Sequence, residues 1–182
     1  YLLRNQHTSP LEQVLLNFHI KMPIFIARQW VRHRTARMNE ISGRYSVMQN
    51  EFYLPADEDV AVQSTDNKQG RSTDAVSPEF IDSTKELLLK GQEAAYNTYA
   101  QRVESGLARE IARINLPLAL YTEIYWQCDL HNLMHFLKLR LDGHAQKEIR
   151  DYAKVILEIA RKVAPLTIAS FENNIQRGVS FS

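Results

Sequence analysis

The chain has 182 residues, 45% of them hydrophobic, with 22 Lys and Arg against 21 Asp and Glu for a formal net charge of +1. That length suffices for one domain with a real core, spanning 1–182, and the even charge excludes a general nucleic-acid coat, which would be strongly basic. A single cysteine, Cys128, excludes an internal disulfide framework; with no run of about 18 apolar residues and no signal-peptide pattern, the expectation is a cytoplasmic protein that neither spans nor binds a membrane.

The chain opens at Tyr1 rather than methionine, so an upstream segment is expected to precede it. His7 to Glu12 reads HTSPLE, a helix start with a Ser or Thr before Pro10 and a carboxylate after it. Leu16, Phe18 and Ile20 alternate with Asn17, His19 and Lys21, which predicts a half-buried strand with His19 at the surface. Pro23 then opens a helix over 24–31 that presents Gln29, Arg32 and His33, while Trp30 is expected in the core. The following stretch, RHRTARMNEISGRYS from Arg32 to Ser46, holds four arginines but only three aliphatic positions, Ala36, Met38 and Ile41. It cannot be core. Planar guanidinium forks suit phosphate or carboxylate oxygens, Asn39, Glu40 and Ser42 add short-range donors and acceptors, and Gly43 permits close backbone approach. A solvated basic loop, or an anion-binding module for nucleic-acid phosphates, explains the same composition.

Phe52 to Leu54 reads as a short strand, and the polar stretch from Pro55 to Pro78 as a lid or a disordered loop. From Pro78 a long helix is predicted, with Ile81, Leu88, Ala95 and Tyr99 as a packing face and small residues Gly91, Ala94 and Ala95 admitting another helix or subunit. Pro117 ends the next helical piece just beyond Arg113, where a cation favours the helix dipole. Thr122, Ile124, Trp126 and Cys128 alternate as a second strand, and Asp129 is a good N-cap for a helix burying Leu133, Phe136 and Leu137 on the side that ends in Arg140. His131 and His135 are four apart, but Asn132 stands where a zinc protease needs Glu and no third ligand has suitable spacing, so no metal is expected. An amphipathic helix over 145–164, broken at Pro165, and a last helical piece to about Asn174 complete the chain. There is no internal repeat and no glycine-rich dinucleotide fingerprint.

Arg32-His33-Arg34, followed by Asn39-Glu40, Ser42 and Gly43-Arg44-Tyr45, resembles the signature of the flavin-dependent thymidylate synthases. Arg37 departs from it, standing where many members carry a small residue such as Ser. The stretch from Asp129 through Arg140 to Arg150 looks like the second signature of the same family, in which Asn or Arg also occurs at the positions of Asp129, His131 and His135. HTSPLE, and Ala112-Arg113-Ile114 before Leu116-Pro117, extend the likeness from His7 to Ala164.

The resemblance implies an α+β fold, a small mainly antiparallel sheet with long packed helices and a non-Rossmann flavin site. It implies methylation of dUMP to dTMP with FAD as cofactor, methylenetetrahydrofolate as carbon donor and NADPH as reductant, in a homotetramer whose active sites are shared between chains. Carried over position by position, it assigns Gln29, Glu40, Ser42, Gly43, Arg44, Arg113 and Arg140 to dUMP. Ser9, Glu12, Arg32, His33, Arg34, Asn39, Asp129, His131 and His135 go to FAD, and Arg140 and Ser42 stand nearest the chemistry. No covalent nucleophile is expected: Ser42 has no base beside it in sequence, and Cys128 lies on an apolar strand face next to Asp129, which disfavours its thiolate.

Overall fold

Alternating apolar and polar residues build the sheet. In this computed structural model, which describes residues 1–176, the strands are β1 (Leu15–Pro23), β2 (Arg37–Glu40) and β3 (Tyr121–Asp129), in the order β1-β3-β2. The small antiparallel sheet and the helices around it make an α+β fold, as expected. Phe18 and Ile20 are buried on β1, and Thr122, Ile124, Trp126 and Cys128 on β3, while His19 stays exposed and stacks on Tyr125 at 4.5 Å.

The helices are α1 (Ser9–Glu12), α2 (Ile24–Trp30), α3 (Pro78–Glu104), α4 (Arg109–Ala112), α5 (Leu130–Arg140), α6 (Lys147–Val163) and α7 (Pro165–Gln176). Local chemistry sets their ends. The Ser77 hydroxyl caps α3 by accepting from the Phe80 N–H, and Gly106, at φ +85°, turns the chain after it. Pro23 is the last residue of β1 rather than the opener of α2.

The described residues form two compact units: Tyr1–Ile20, Gln29–Asn39 and 124–176 in the first, Lys21–Arg28 and Glu40–Glu123 in the second. In the first, Trp30 stands edge-on to Trp126 at 5.3 Å and tilts over Phe136 at 4.6 Å. Leu133, Phe136 and Leu137 of α5, Ile149, Ala153 and Ile156 of α6, and Ile168 and Phe171 of α7 are buried with them. Alpha6 packs on both α5 and α7, and α1 on α5.

In the second unit a smaller core gathers Met48, Tyr99, Ala112 and Leu120, with Ile24, Phe52, Tyr96, Val103 and Leu116 against it. Phe52 to Leu54 makes only an isolated bridge, Phe52 to Leu120, in place of the predicted strand. The stretch after Pro55 carries a 3-10 turn at Asp57–Asp59, a bridge from Gln63 to Arg71 and an ion pair from Lys85 to Asp57, so it is tied down rather than disordered. On the predicted packing face of α3, Tyr99 is buried and Ile81 and Ala95 are half-buried, but Leu88 is exposed and Leu87 beside it is 72% exposed. A helix of 27 residues is about 40 Å long at 1.5 Å per residue and outruns the small core of its own unit.

Candidate active site

The first unit gathers the basic end of the arginine-rich motif against α5. Arg32, His33, Arg34, His135 and Arg140, with Asn132 and Trp126, line a recess of about 260 Å³ that has no carboxylate in its lining among the described residues. Arg140 is held from two sides. Its Nε donates to His33 Nε2 at 2.9 Å, and Nη2 donates to the Gln29 carbonyl at 3.1 Å. The Gln29 side-chain amide in turn donates to Gln146 Oε1. His33 can accept this bond only as neutral imidazole, with its proton on Nδ1. Burial, then the Arg140 cation and His135, pull its pKa down to about 4, so it remains an acceptor at neutral pH. The recess is therefore a permanent cationic pocket for an anionic or electron-rich planar group.

The second unit holds the rest of the motif. Glu40, Gly43, Met48, Glu110, Arg113 and Thr122 line a pocket of about 320 Å³ with an apolar side of Ile24, Leu116 and Leu120. Thr122 Oγ1 donates to Glu40 Oε1 at 2.7 Å, leaving Oε2 as the carboxylate's other acceptor. Arg44 Nε donates to Glu110 Oε2 at 3.0 Å, and Arg109 Nη1 donates to the Tyr45 carbonyl at 2.7 Å, which pins the loop to α4. The Ser42 hydroxyl accepts from the Arg44 N–H at 3.3 Å. Two tyrosines of α3 clamp Met48: its N–H donates to Tyr99 Oη at 2.9 Å, and Tyr96 Oη donates to its carbonyl at 3.0 Å. Space at Gly43 is tight: a Cβ there would stand 3.1 Å from both Arg113 Cδ and Met48 Sδ, and those side chains would have to give by a few tenths of an ångström.

The remaining predicted residues stand elsewhere. Asn39 is exposed on β2, and neither it nor Ser9, Glu12 or His131 lines these two pockets. Glu12 accepts from the hydroxyl of Thr8, the N-cap of α1, at 2.7 Å. Asp129 caps α5: one carboxylate oxygen accepts the Asn132 N–H and the other its side-chain amide, both at 2.8 Å. Arg37 donates to Gln127 at 2.9 Å, and Gln127 to Asn17 at 2.8 Å. Burial, with Asp129 beside it, pushes the Cys128 thiol up to about 12. Sequence reasoning assigned no role to Gln146, Thr122, Glu110 or the tyrosine pair. In that reading Tyr99 has only a packing role, and Thr122 only a place on a strand.

The family described as "Thymidylate synthase complementing protein" matches residues 1–166. The flavin-dependent thymidylate synthase of Treponema denticola is 60% identical over 182 residues, covering 100% of this chain and 68% of that protein. The chain belongs to the flavin-dependent thymidylate synthase family. Other relatives of that name come from Treponema pallidum, 57% identical over all of this chain and 60% of that protein, and Thermus thermophilus, 52% identical over all of this chain and 65% of that protein. The chain thus spans about three fifths to two thirds of the length of these flavin-dependent synthases. The UMP/dUMP methylase PolB of Streptomyces cacaoi, bound with 5-Br UMP, superposes with a TM-score of 0.88 at 33% identity, covering 94% of this chain and 79% of that one. Bound with 5-Br dUMP it gives a TM-score of 0.84 at 33% identity, covering 95% and 76%.

Proposed function

We propose that this chain methylates dUMP to dTMP, with FAD as cofactor, methylenetetrahydrofolate as carbon donor and NADPH as reductant. The observation that carries the reading is the division of the arginine-rich motif into a carboxylate-free cationic recess and a mixed nucleotide-sized pocket, in a member of this family.

The cationic recess fits an anionic, planar cofactor. Arg32, Arg34 and His135 offer donors to phosphate or ring oxygens, while Trp126 and Phe136 give apolar backing. At about 260 Å³ it falls just below the ~300–1,000 Å³ of typical small-molecule sites, so one chain would hold only part of a dinucleotide. This supports sites completed by other copies in a homotetramer. Bound FAD would supply hydride-transfer chemistry. The chain's own contribution is positioning and electrostatics. In the pocket of the second unit Arg113 offers a fork to a phosphate and Glu40 Oε2 accepts a sugar hydroxyl; in the recess of the first, the fixed fork of Arg140 would meet a pyrimidine edge and stabilise negative charge developing there, so that each chain supplies different parts of sites shared between copies. Ser9, Glu12, Asn39, Asp129 and His131 keep only the family resemblance as support for cofactor contact, and Ser42 and Arg44 the same for dUMP.

Among the described residues, neither Cys128 nor Ser42 is poised as a nucleophile. Cys128 is 3% exposed with its pKa raised to about 12, and no base is hydrogen-bonded to the Ser42 hydroxyl.

The test is a visible spectrum of the purified protein, followed by thymidylate formation from dUMP with the two co-substrates and intact-mass analysis of the quenched enzyme. Flavin absorbance, product and an unmodified protein mass are expected. A colourless protein that binds polynucleotides with steep salt dependence would replace the reading with a phosphate-binding module.

A further inference from the structure

We infer that Tyr96 and Tyr99 of α3 are positioning residues for the pocket of the second unit, fixing the turn after Ser42 against Arg113. The inference rests on the reading above that this pocket takes dUMP. The turn has little hold of its own. The Ser42 carbonyl accepts the N–H groups of Tyr45 and Ser46 at 3.1 and 3.0 Å, and no residue from Arg44 to Val47 is buried. The Arg44 and Glu110 side chains that tie it to α4 are 56% and 52% exposed, so water and salt weaken that pair. Gly43 and Met48, at the two ends of the turn, are buried, and both line the pocket.

Helix α3 meets this segment with polar side chains. Gln92, Tyr96 and Tyr99 follow one another at intervals of four and three, which sets them along one face of the helix. Tyr99 Oη accepts the Met48 N–H at 2.9 Å, Tyr96 Oη donates to the Met48 carbonyl at 3.0 Å, and Gln92 Nε2 donates to the Tyr53 carbonyl at 3.0 Å. Tyr99 is 1% exposed, so no water stands ready to replace its oxygen. Backbone holds the same segment further along: the Tyr53 N–H donates to the Ala119 carbonyl at 2.9 Å, and the Tyr121 N–H to the Glu51 carbonyl at 3.0 Å. Met48 therefore cannot shift without losing a bond at each of its own backbone groups. Its Sδ and Arg113 Cδ each stand 3.1 Å from where a Cβ on Gly43 would be. Any shift of Met48 is thus passed to Gly43 and to the Arg113 arm, two parts of the pocket wall.

The experiment measures dUMP affinity by calorimetry, and KM and kcat for dUMP, on the flavin-loaded protein in wild type, Tyr99→Phe, Tyr96→Phe and Val103→Ala. Val103 packs against the same core but its side chain makes no hydrogen bond to the turn, so its variant reports lost packing alone. Tyr99→Phe leaves the Met48 N–H without its acceptor and should weaken dUMP binding by about 10-fold, the order expected for one hydrogen bond. KM should rise with it while kcat at saturating dUMP changes less, the mark of lost ground-state binding. Tyr96→Phe should act in the same direction by about 3-fold, since the Met48 carbonyl is only partly buried. Should Tyr99→Phe fail to fold, Tyr96→Phe carries the same test. Val103→Ala should keep the wild-type dUMP affinity whatever it does to the melting temperature. Folded tyrosine variants with wild-type affinity would overturn the inference, as would a fall in kcat with KM unmoved or an equal loss in Val103→Ala. Failure of the wild type to bind dUMP would overturn the functional reading beneath it, a separate and recognisable result.

Discussion

Arg140 admits two explanations that a single substitution separates. If it only ended an apolar helix face near the dipole's negative end, Arg140→Lys would keep the charge and cost at most about 1 kcal/mol of stability. The structure instead fixes the fork through His33 and the Gln29 carbonyl, a geometry that an ammonium cannot reproduce. Arg140→Lys should therefore fold and retain flavin but lose about 100- to 1000-fold in thymidylate formation, the usual cost of removing a transition-state hydrogen bond. NADPH oxidation without dUMP, measured alongside, reports the intact flavin site; survival of both activities would make Arg140 scaffolding. His33 carries a pH signature. Its folded pKa of about 4 lies below the ordinary value of 6.5, so the unfolded chain binds the proton more readily between those limits. Its contribution to stability is full above about pH 6.5 and fades as pH falls through 4. Thermal melts between pH 7 and 4.5 should show a shallower loss in His33→Gln than in wild type, and parallel curves would mean that the imidazole is not held neutral. At this scale the sequence was readable wherever burial follows from a residue's own pattern, as for Trp30, Cys128 and His19. Gln146 was not readable in this way, because its meaning comes from Gln29, which lies 117 positions away.

Elements formed where period and caps agreed. Beta1, β3 and α5 follow their alternation and their cap, and at Asp129 the cap and the proposed cofactor contact fall on one residue. Both of its carboxylate oxygens are engaged by Asn132, so Asp129→Ala should cost about 0.5–2 kcal/mol in denaturant unfolding. Asp129→Ser restores a capping oxygen and should recover both the midpoint and the flavin absorbance. A serine variant that is stable yet colourless would return the residue to the cofactor. Two elements escaped the pattern. Beta2 has one apolar residue, Met38, in its four positions, and alternation cannot signal a strand so short. For α3 the period was right but the partner was missing, since helical spacing reports a face and not what covers it. Its exposed Leu87, Leu88 and Leu89 are the counterpart of that gap.

For the whole molecule, the family resemblance carried the site assignments further than composition did. Net charge and length bounded the class, but they could not show that the arginine-rich motif divides between two compact units, with Arg32 to Asn39 in one and Glu40 to Ser46 in the other. That division arises because β2 runs through the motif's middle. One consequence lies in the middle strand of the sheet. Beta3 is flanked on both sides, and near its end sits the chain's lone thiol, 3% exposed and held protonated. Although Cys128 borders a recess with Leu15, Thr35 and Asp129, so little of it is exposed that a sulfhydryl reagent reaches it far faster when the strand opens, and the chain carries its own clock for opening events. For a domain of ordinary stability, ~5 kcal/mol or more, alkylation of the native protein should run at least about 1,000-fold slower than in urea. The ratio of the two rates then reads out the opening free energy, with no label added and no substitution made. Alkylation at the unfolded rate would instead mark the end of β3 as frayed.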